Sequence, residues 1–416
     1  AVLTVNNSLA SSFSGRIAEG PTGTMSFYKA GSGSLTLGGT EPNAWSGGTI
    51  HNGSGSNPLI LSKPAGVAAI PGGISMINND ANYLYVTASD QFGAGCAVNM
   101  TGGASNARLE LMGTTQTVAG VSNDGTGRGV VQNQEVGPAN TGTSLLVLNG
   151  SGNYSFNGYV RNWNGVLGLS LTGTGTQTLS GANIVYTGAT TINSGNLTIY
   201  NATAFNSFVT IAPGATLVLT NTTNWGGQPG FRVQGAGNWL MTGSGVSGQG
   251  HYDVNTDMSL FSGALAITNQ RVRIDANTEM PTGVINIQPG GQIWLAGAGT
   301  YTRAVNIAGN GWNEGSYLGA FRMENNVVYS GDITLTANAR LGQYGSSTAT
   351  INGNIAGDYQ LEIWNGTGTS AMYLNPSVTN SFASLILTGS QNSYALKPGA
   401  TGPGAITFGS GTPQLW

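Results

Sequence analysis

The sequence predicts an all-β chain wound as a β-solenoid, a single elongated repeat structure. Three observations predict it: low charge with abundant glycine, short runs that alternate apolar and polar residues, and self-similarity at a long period. Charged residues make up 7% of the 416, and Gly accounts for 68, where an ordinary domain has about a quarter charged residues. Helices exposed to water need Glu, Lys and Arg along their outer face. This chain lacks them, so almost no helix is expected. The 39% of hydrophobic residues is too many for a disordered Gly/Ser/Thr chain. They also alternate with polar residues between Gly and Asn, the pattern of a half-buried strand.

Taken along the chain, the elements repeat. Val2-Leu3-Thr4-Val5 reads as a strand, and so do Leu35-Thr36-Leu37, Leu217-Val218-Leu219 and Ile333-Thr334-Leu335. One motif runs aromatic, Ser or Thr, Gly, then strand. Its copies are Trp45-Ser46-Gly47, Tyr186-Thr187-Gly188, Phe261-Ser262-Gly263 and Tyr329-Ser330-Gly331, with looser ones at Phe13-Ser14-Gly15 and Phe156-Asn157-Gly158. A second motif places Pro-Gly after a short apolar strand, at Ile211-Ala212-Pro213-Gly214 and Ile287-Gln288-Pro289-Gly290, with a weaker copy at Ile70-Pro71-Gly72. Tyr186 and Phe261 are 75 residues apart, Pro213 and Pro289 are 76, and Phe261 and Tyr329 are 68. Such a period means a solenoid or a propeller. Propeller blades need a recurring set of two-residue hairpin turns. Asn149-Gly150 and Asn352-Gly353 do not recur that way, whereas single Gly and Asn residues suit coil corners where φ turns positive. The expectation is one continuous solenoid over residues 1–416, with sub-blocks at about 1–108, 109–229, 230–300 and 301–416, and coils of about 20–25 residues.

Charge and length exclude several classes. A formal net charge of −3 with scattered Lys and Arg leaves no footprint for nucleic acid. No run approaches the ~18 apolar residues of a membrane helix. Ala1 opens directly into a strand, as expected after removal of an export signal. The single cysteine, Cys96, sits among apolar residues and reads as a small buried hydrophobe.

The stretch from Leu109 to Asn201 resembles the autotransporter-associated β-strand repeat. The resemblance is carried by Leu109-Glu110-Leu111-Met112-Gly113-Thr114-Thr115-Gln116-Thr117-Val118-Ala119-Gly120, by Leu171-Thr172-Gly173-Thr174-Gly175-Thr176-Gln177-Thr178-Leu179-Ser180-Gly181, and by Tyr186-Thr187-Gly188-Ala189-Thr190-Thr191-Ile192. Residues 11–50 carry a second copy, and from 230 onward the likeness thins. The resemblance implies a right-handed parallel β-helix on an exported bacterial surface protein. Precursors of that family often end in a membrane barrel or a sorting signal. Here the last residues, Gly409 to Trp416, read as more solenoid or a tail, so any anchor lies outside this sequence or the protein leaves the cell.

No catalytic, cofactor-binding or metal-ligating residue is expected. The two histidines, His51 and His251, lie far apart, and no His-Glu-x-x-His motif, phosphate loop or Gly-x-Ser-x-Gly elbow is present. The densest polar cluster is His251, Asp253, Asn255 and Asp257, which would share one strand face, with Arg271 and Arg273 about one coil further on. Polysaccharide lyases built on parallel β-helices carry acidic residues and arginine on a comparable ledge. The plainer expectation is charge balance between neighbouring coils on a solvated face. Asn-x-Ser/Thr triplets, at Asn52, Asn99, Asn149, Asn153, Asn196, Asn201, Asn221 and Asn365, follow from composition. Trp163, Trp225, Trp239, Trp294, Trp312 and Trp364 are candidates for stacking on sugars wherever they are exposed. The expected function is a structural filament subunit assembling head to tail, through a donated N-terminal strand. An adhesin stalk or glycan-binding module is the alternative, and a polysaccharide lyase or hydrolase a distant third.

Overall fold

The computed structural model describes residues 1–53, 58–79, 82–134, 142–222, 225–226, 230–243, 251–253, 258–366, 370–389, 393–397, 399–400, 402, 404–411 and 413–415. The side chains of 225, 226, 251–253, 393, 414 and 415 are outside that description. The chain divides into two units, Ala1–Leu217 and Val218–Trp416.

In the first unit, every described pairing between strands is parallel. One sheet stacks Val2–Asn6, Ser26–Ala30, Thr49–His51, Ile74–Ile77, Ala97–Thr101 and Gly120–Asn123 in that order. A second stacks Ser11–Phe13, Leu35–Leu37, Leu59–Leu61, Tyr83–Val86, Arg108–Glu110, Val130–Gln134 and Tyr159–Trp163. A third takes over with Thr115–Val118, Thr143–Leu148, Val166–Leu171, Thr190–Ile192 and Phe208–Ile211. The register steps one coil at a time: Val2 lies beside Ser26, and Phe27 beside Thr49. Parallel neighbours one coil apart define a solenoid and exclude the hairpins of a propeller.

The alternation in sequence becomes the inside and outside of the coil. In Ser26–Ala30, Phe27 and Lys29 are buried and Ser26, Tyr28 and Ala30 half-exposed; in Leu35–Leu37 both leucines are buried and Thr36 is half-exposed. Leu35, Leu59, Leu84, Leu109 and Val131 are in register on successive coils and all buried, so like stacks on like along the core. Phe27 and Trp45 stack with ring centroids 5.2 Å apart. Cys96 is buried as its neighbours foretold, and burial pushes its thiol up to about 12.

The two motifs each have a mechanical reason. In the aromatic-Ser/Thr-Gly copies, Trp45, Tyr186, Phe261 and Tyr329 are buried while the glycine passes beneath its neighbour's backbone. A Cβ on Gly188 would lie 2.2 Å from the Leu167 carbonyl oxygen, and one on Gly263 would lie 1.9 Å from that of Gly237. The Pro-Gly copies are type II turns: Gly214 has φ +84° and Gly290 φ +80°. The turn closes with Ala215 N–H donating to Ala212 O at 3.0 Å, and Gly291 to Gln288 at 2.8 Å. Proline sets the first turn residue and glycine accepts the positive φ of the second.

In the second unit the described pairings between strands are also parallel, and one isolated antiparallel bridge joins Asn313 to Tyr317. Asn238–Gly243, Ala264–Thr268, Ile285–Ile287 and Val305–Gly309 stack in order, as do Arg271–Ile274, Gln292–Leu295 and Phe321–Met323. Both stacks meet on the long strand Ile333–Gln343, which continues through Ile355–Asn365, Ser381–Gly389 and Ile406–Gly411. Gly299–Tyr301, Val327–Tyr329, Thr348–Ile351, Ala371–Leu374, Ser393–Leu396 and Gln414–Leu415 form a further sheet. The fold therefore persists where the repeat resemblance thins. Among the described residues the one helical element is a 3-10 turn at Asn277–Glu279, and no helix is long and apolar enough to cross a membrane.

Candidate functional site

The core carries charge that composition did not foretell. Lys63 is buried, and its Nζ donates to the carbonyls of Gly15 at 3.2 Å, Gly38 at 2.6 Å and Glu41 at 2.8 Å. One ammonium thus gathers the corners of successive coils, which satisfies its desolvated charge with three oxygens. His51 is fully buried, with Nε2 donating to the Tyr83 carbonyl at 2.9 Å. Burial, and then the nearby Lys29 ammonium, pull its pKa down to about 4. Burial holds the ring neutral inside the core.

The polar row singled out in the sequence is only partly visible. Asn255 and Asp257 lie outside the described residues. The strand His251–Asp253 pairs in parallel with Arg271–Ile274, so His251 is in register with Arg271 and Asp253 with Arg273. The one-coil spacing therefore holds.

What the two arginines do was not legible in sequence. Arg271 forms an ion pair with Glu314 and lies over the rings of Trp294, at 4.8 Å, and Trp312, at 5.2 Å. Arg273 pairs with Asp275 at 2.9 Å and lies 4.9 Å from the Trp294 centroid. Two coils on from Arg273, Arg322 covers Trp294 at 4.5 Å and Tyr344 at 4.9 Å, and it pairs with Glu314 at 2.6 Å and with Glu324. Tyr344 then stacks on Trp364 at 6.2 Å with the planes 9° apart. Arg273, Trp294, Arg322, Gly342 and Trp364 occupy one ladder position on five consecutive coils. Because Gly342 offers no side chain, Tyr344, two residues on, fills that rung. Each cation–π contact contributes about 0.5–2 kcal/mol, and together they make a column that ties coil to coil. The signal was a Trp and two Arg at coil spacing, which single-chain reading cannot separate from chance without the register.

The tryptophans divide accordingly. Trp239 and Trp312 are buried, Trp294 and Trp364 are half-buried in the column, and the Trp225 side chain is outside the description. Trp163 is 50% exposed, with φ +60° and Arg161 4.2 Å above its ring. No group of three His, Cys, Asp or Glu side chains that could hold a metal ion is found among the described residues.

The remaining distinctive geometry is a sheet edge. Val2–Asn6 pairs on one side, with Ser26–Ala30, and Val2 is 64% and Leu3 38% exposed. Behind it lies a trough of about 500 Å³, lined mostly by apolar side chains such as Leu3, Val5, Phe13, Met25 and Leu35 and also by Arg16. Ile406–Gly411 likewise pairs with one strand, Ser381–Gly389, and its residues are exposed throughout.

No family model, curated protein or solved structure matches this chain. What it can do is therefore read from its own geometry.

Proposed function

We propose that the protein is a secreted structural solenoid of the bacterial exterior, a subunit that joins head to tail into a surface fibre and carries no reaction of its own. The observation that carries this reading is the edge strand Val2–Asn6. Edge strands of proteins that stay single are blunted by charge, proline or a bulge. Val2–Asn6 has none of these; Ile406–Gly411 also lacks charge and proline, though its pairing shifts register between Leu387 and Gly389. A parallel strand from a second copy would complete the hydrogen bonds of such an edge and cover the apolar trough. A head-to-tail contact of that kind does not close on itself and grows a fibre. The likeness of Leu109–Asn201 to autotransporter repeats supports export. Against a lyase-type ledge stand the contacts of Arg271 and Arg273, both committed to carboxylates and to Trp294.

Electron microscopy and light scattering of the concentrated protein test this. Filaments are expected, and deletion of residues 1–8 or the substitution Leu3→Lys should give soluble monomers. A wild-type chain that stays monomeric at high concentration overturns the fibre in favour of a stalk. Replacing His251, Asp253 and Asp257 together with Ala should leave secretion and assembly intact. A glycan-cleaving activity that this triple variant loses would establish an enzyme instead.

A further inference from the structure

We propose that a groove in the second unit binds a linear, carboxylate-bearing glycan, with Arg303 as the anchor for its charge. This goes beyond the structural role and does not depend on it. The groove, about 660 Å³, crosses three consecutive coils at Ser262-Gly263-Ala264, Thr282-Gly283-Val284 and Thr302-Arg303-Ala304. Leu265, Ile285 and Val305 are in register just beyond it, so the three tripeptides occupy equivalent corners.

The corner is the aromatic-Ser/Thr-Gly motif, and Arg303 is its exception. A Cβ on Gly283 would lie 1.9 Å from the Gly263 carbonyl oxygen. On the far side of Arg303, one on Gly331 would lie 2.2 Å from the Arg303 oxygen, and one on Gly353 would lie 1.8 Å from that of Gly331. Contact with the preceding coil keeps this column free of side chains and hollows out the trough. At one rung a guanidinium stands in that column. Its backbone oxygen accepts from Tyr329 Oη, but among the described residues its side chain makes no ion pair or hydrogen bond, and its Nε is buried without an acceptor. A buried Nε without an acceptor also occurs at Arg322 and Arg340; what sets Arg303 apart is the missing carboxylate, since Arg271, Arg273, Arg322 and Arg340 are each paired with one.

A cation with donors unmet in a concave site calls for an anion. A planar guanidinium is suited to a carboxylate held by two parallel hydrogen bonds. The rest of the groove says what carries that carboxylate. Ser262, Thr282 and Thr302 stand exposed at successive coils, about 4.8 Å apart. Their hydroxyls donate to Gly235 O at 3.3 Å, Phe261 O at 3.1 Å and Asn277 Oδ1 at 3.5 Å, which leaves the oxygens as acceptors. Asn306 donates to Asn286 at 2.8 Å along the wall. Such a surface fits an extended polyhydroxylated chain. An acidic peptide would dock best on a free sheet edge. Here Ala264–Thr268, Ile285–Ile287 and Val305–Gly309 pair with one another and with the strands beyond.

Fluorescence anisotropy with a labelled galacturonate hexamer tests the site on the full chain. The hexamer should bind with an affinity that falls as salt rises, and the same hexamer with its carboxyls reduced should bind at least tenfold more weakly. Loss of one charge-assisted pair corresponds to about tenfold or more, which is the drop expected for Arg303→Ala. Val284→Glu, at a position 54% exposed, should weaken binding similarly without unfolding the chain, and it decides the matter if Arg303→Ala fails to fold. Unchanged affinity in a folded variant overturns the proposal, as does equal binding of the reduced hexamer. Galacturonate monomer competing as well as the hexamer would reduce the groove to an ion site only, and oligoglutamate binding as tightly would exclude a glycan-specific surface. Either result overturns it.

Discussion

At His51 the fold has placed a titratable ring where only the neutral form is tolerated. Its pKa falls from the ordinary 6.5 to about 4 on folding, so between those values the unfolded chain binds the extra proton. Stability contributed by the neutral ring is complete above pH 6.5 and is lost as pH falls toward 4, by about 3 kcal/mol in total. His51→Gln keeps a donor for the Tyr83 carbonyl, and should flatten that part of the stability profile in urea titrations between pH 7 and 4. An unchanged slope would mean that another group governs it. Lys63 makes the complementary case. Lys63→Met strands three carbonyls that now share one ammonium, and should cost about 3 kcal/mol or more, measured by chemical denaturation. Neither residue announces itself in sequence, because a lone Lys or His in a polar, low-charge chain reads as surface. Burial became visible only when the coils closed around them.

At the scale of the element, two kinds of glycine have different costs. Gly214 turns with φ +84° and a Cβ there would meet nothing within 4 Å, so Gly214→Ala costs only backbone strain, about 1–2 kcal/mol. Gly283 is held by the carbonyl of the coil before it. Gly283→Ala should therefore force the two coils apart and cost about 3 kcal/mol or more. Thermal melts of the two variants should rank in that order. The Pro-Gly turn was legible as a turn, and the aromatic-Ser/Thr-Gly motif as a repeat mark. That its glycine is a spacer between coils was not, since the clash involves a residue about one coil away.

For the molecule as a whole, each coil is held by its two neighbours, so stability is a sum of local stacking terms. Amide exchange should then grade along each unit. In dilute protein the edge strands Val2–Asn6 and Ile406–Gly411 should exchange first, while inner strands such as Tyr83–Val86 and Ile285–Ile287 stay protected. In assembled material the edge amides should become protected as the fibre forms. Edges that exchange equally fast in both states would rule out strand addition as the joint.

The sequence by itself determined the class of fold and the rhythm of its coils. Period-two alternation fixes which residues face inward, and glycine and Pro-Gly fix where the chain bends, all within a few residues. Tertiary structure decided the chemistry. The column from Arg273 to Trp364, the ammonium of Lys63 among three carbonyls, and the lone guanidinium of Arg303 each depend on register between coils 20–28 residues apart. A shift of one residue would turn every one of those side chains to the other face. That register comes from the packing of the whole stack, which local alternation cannot specify.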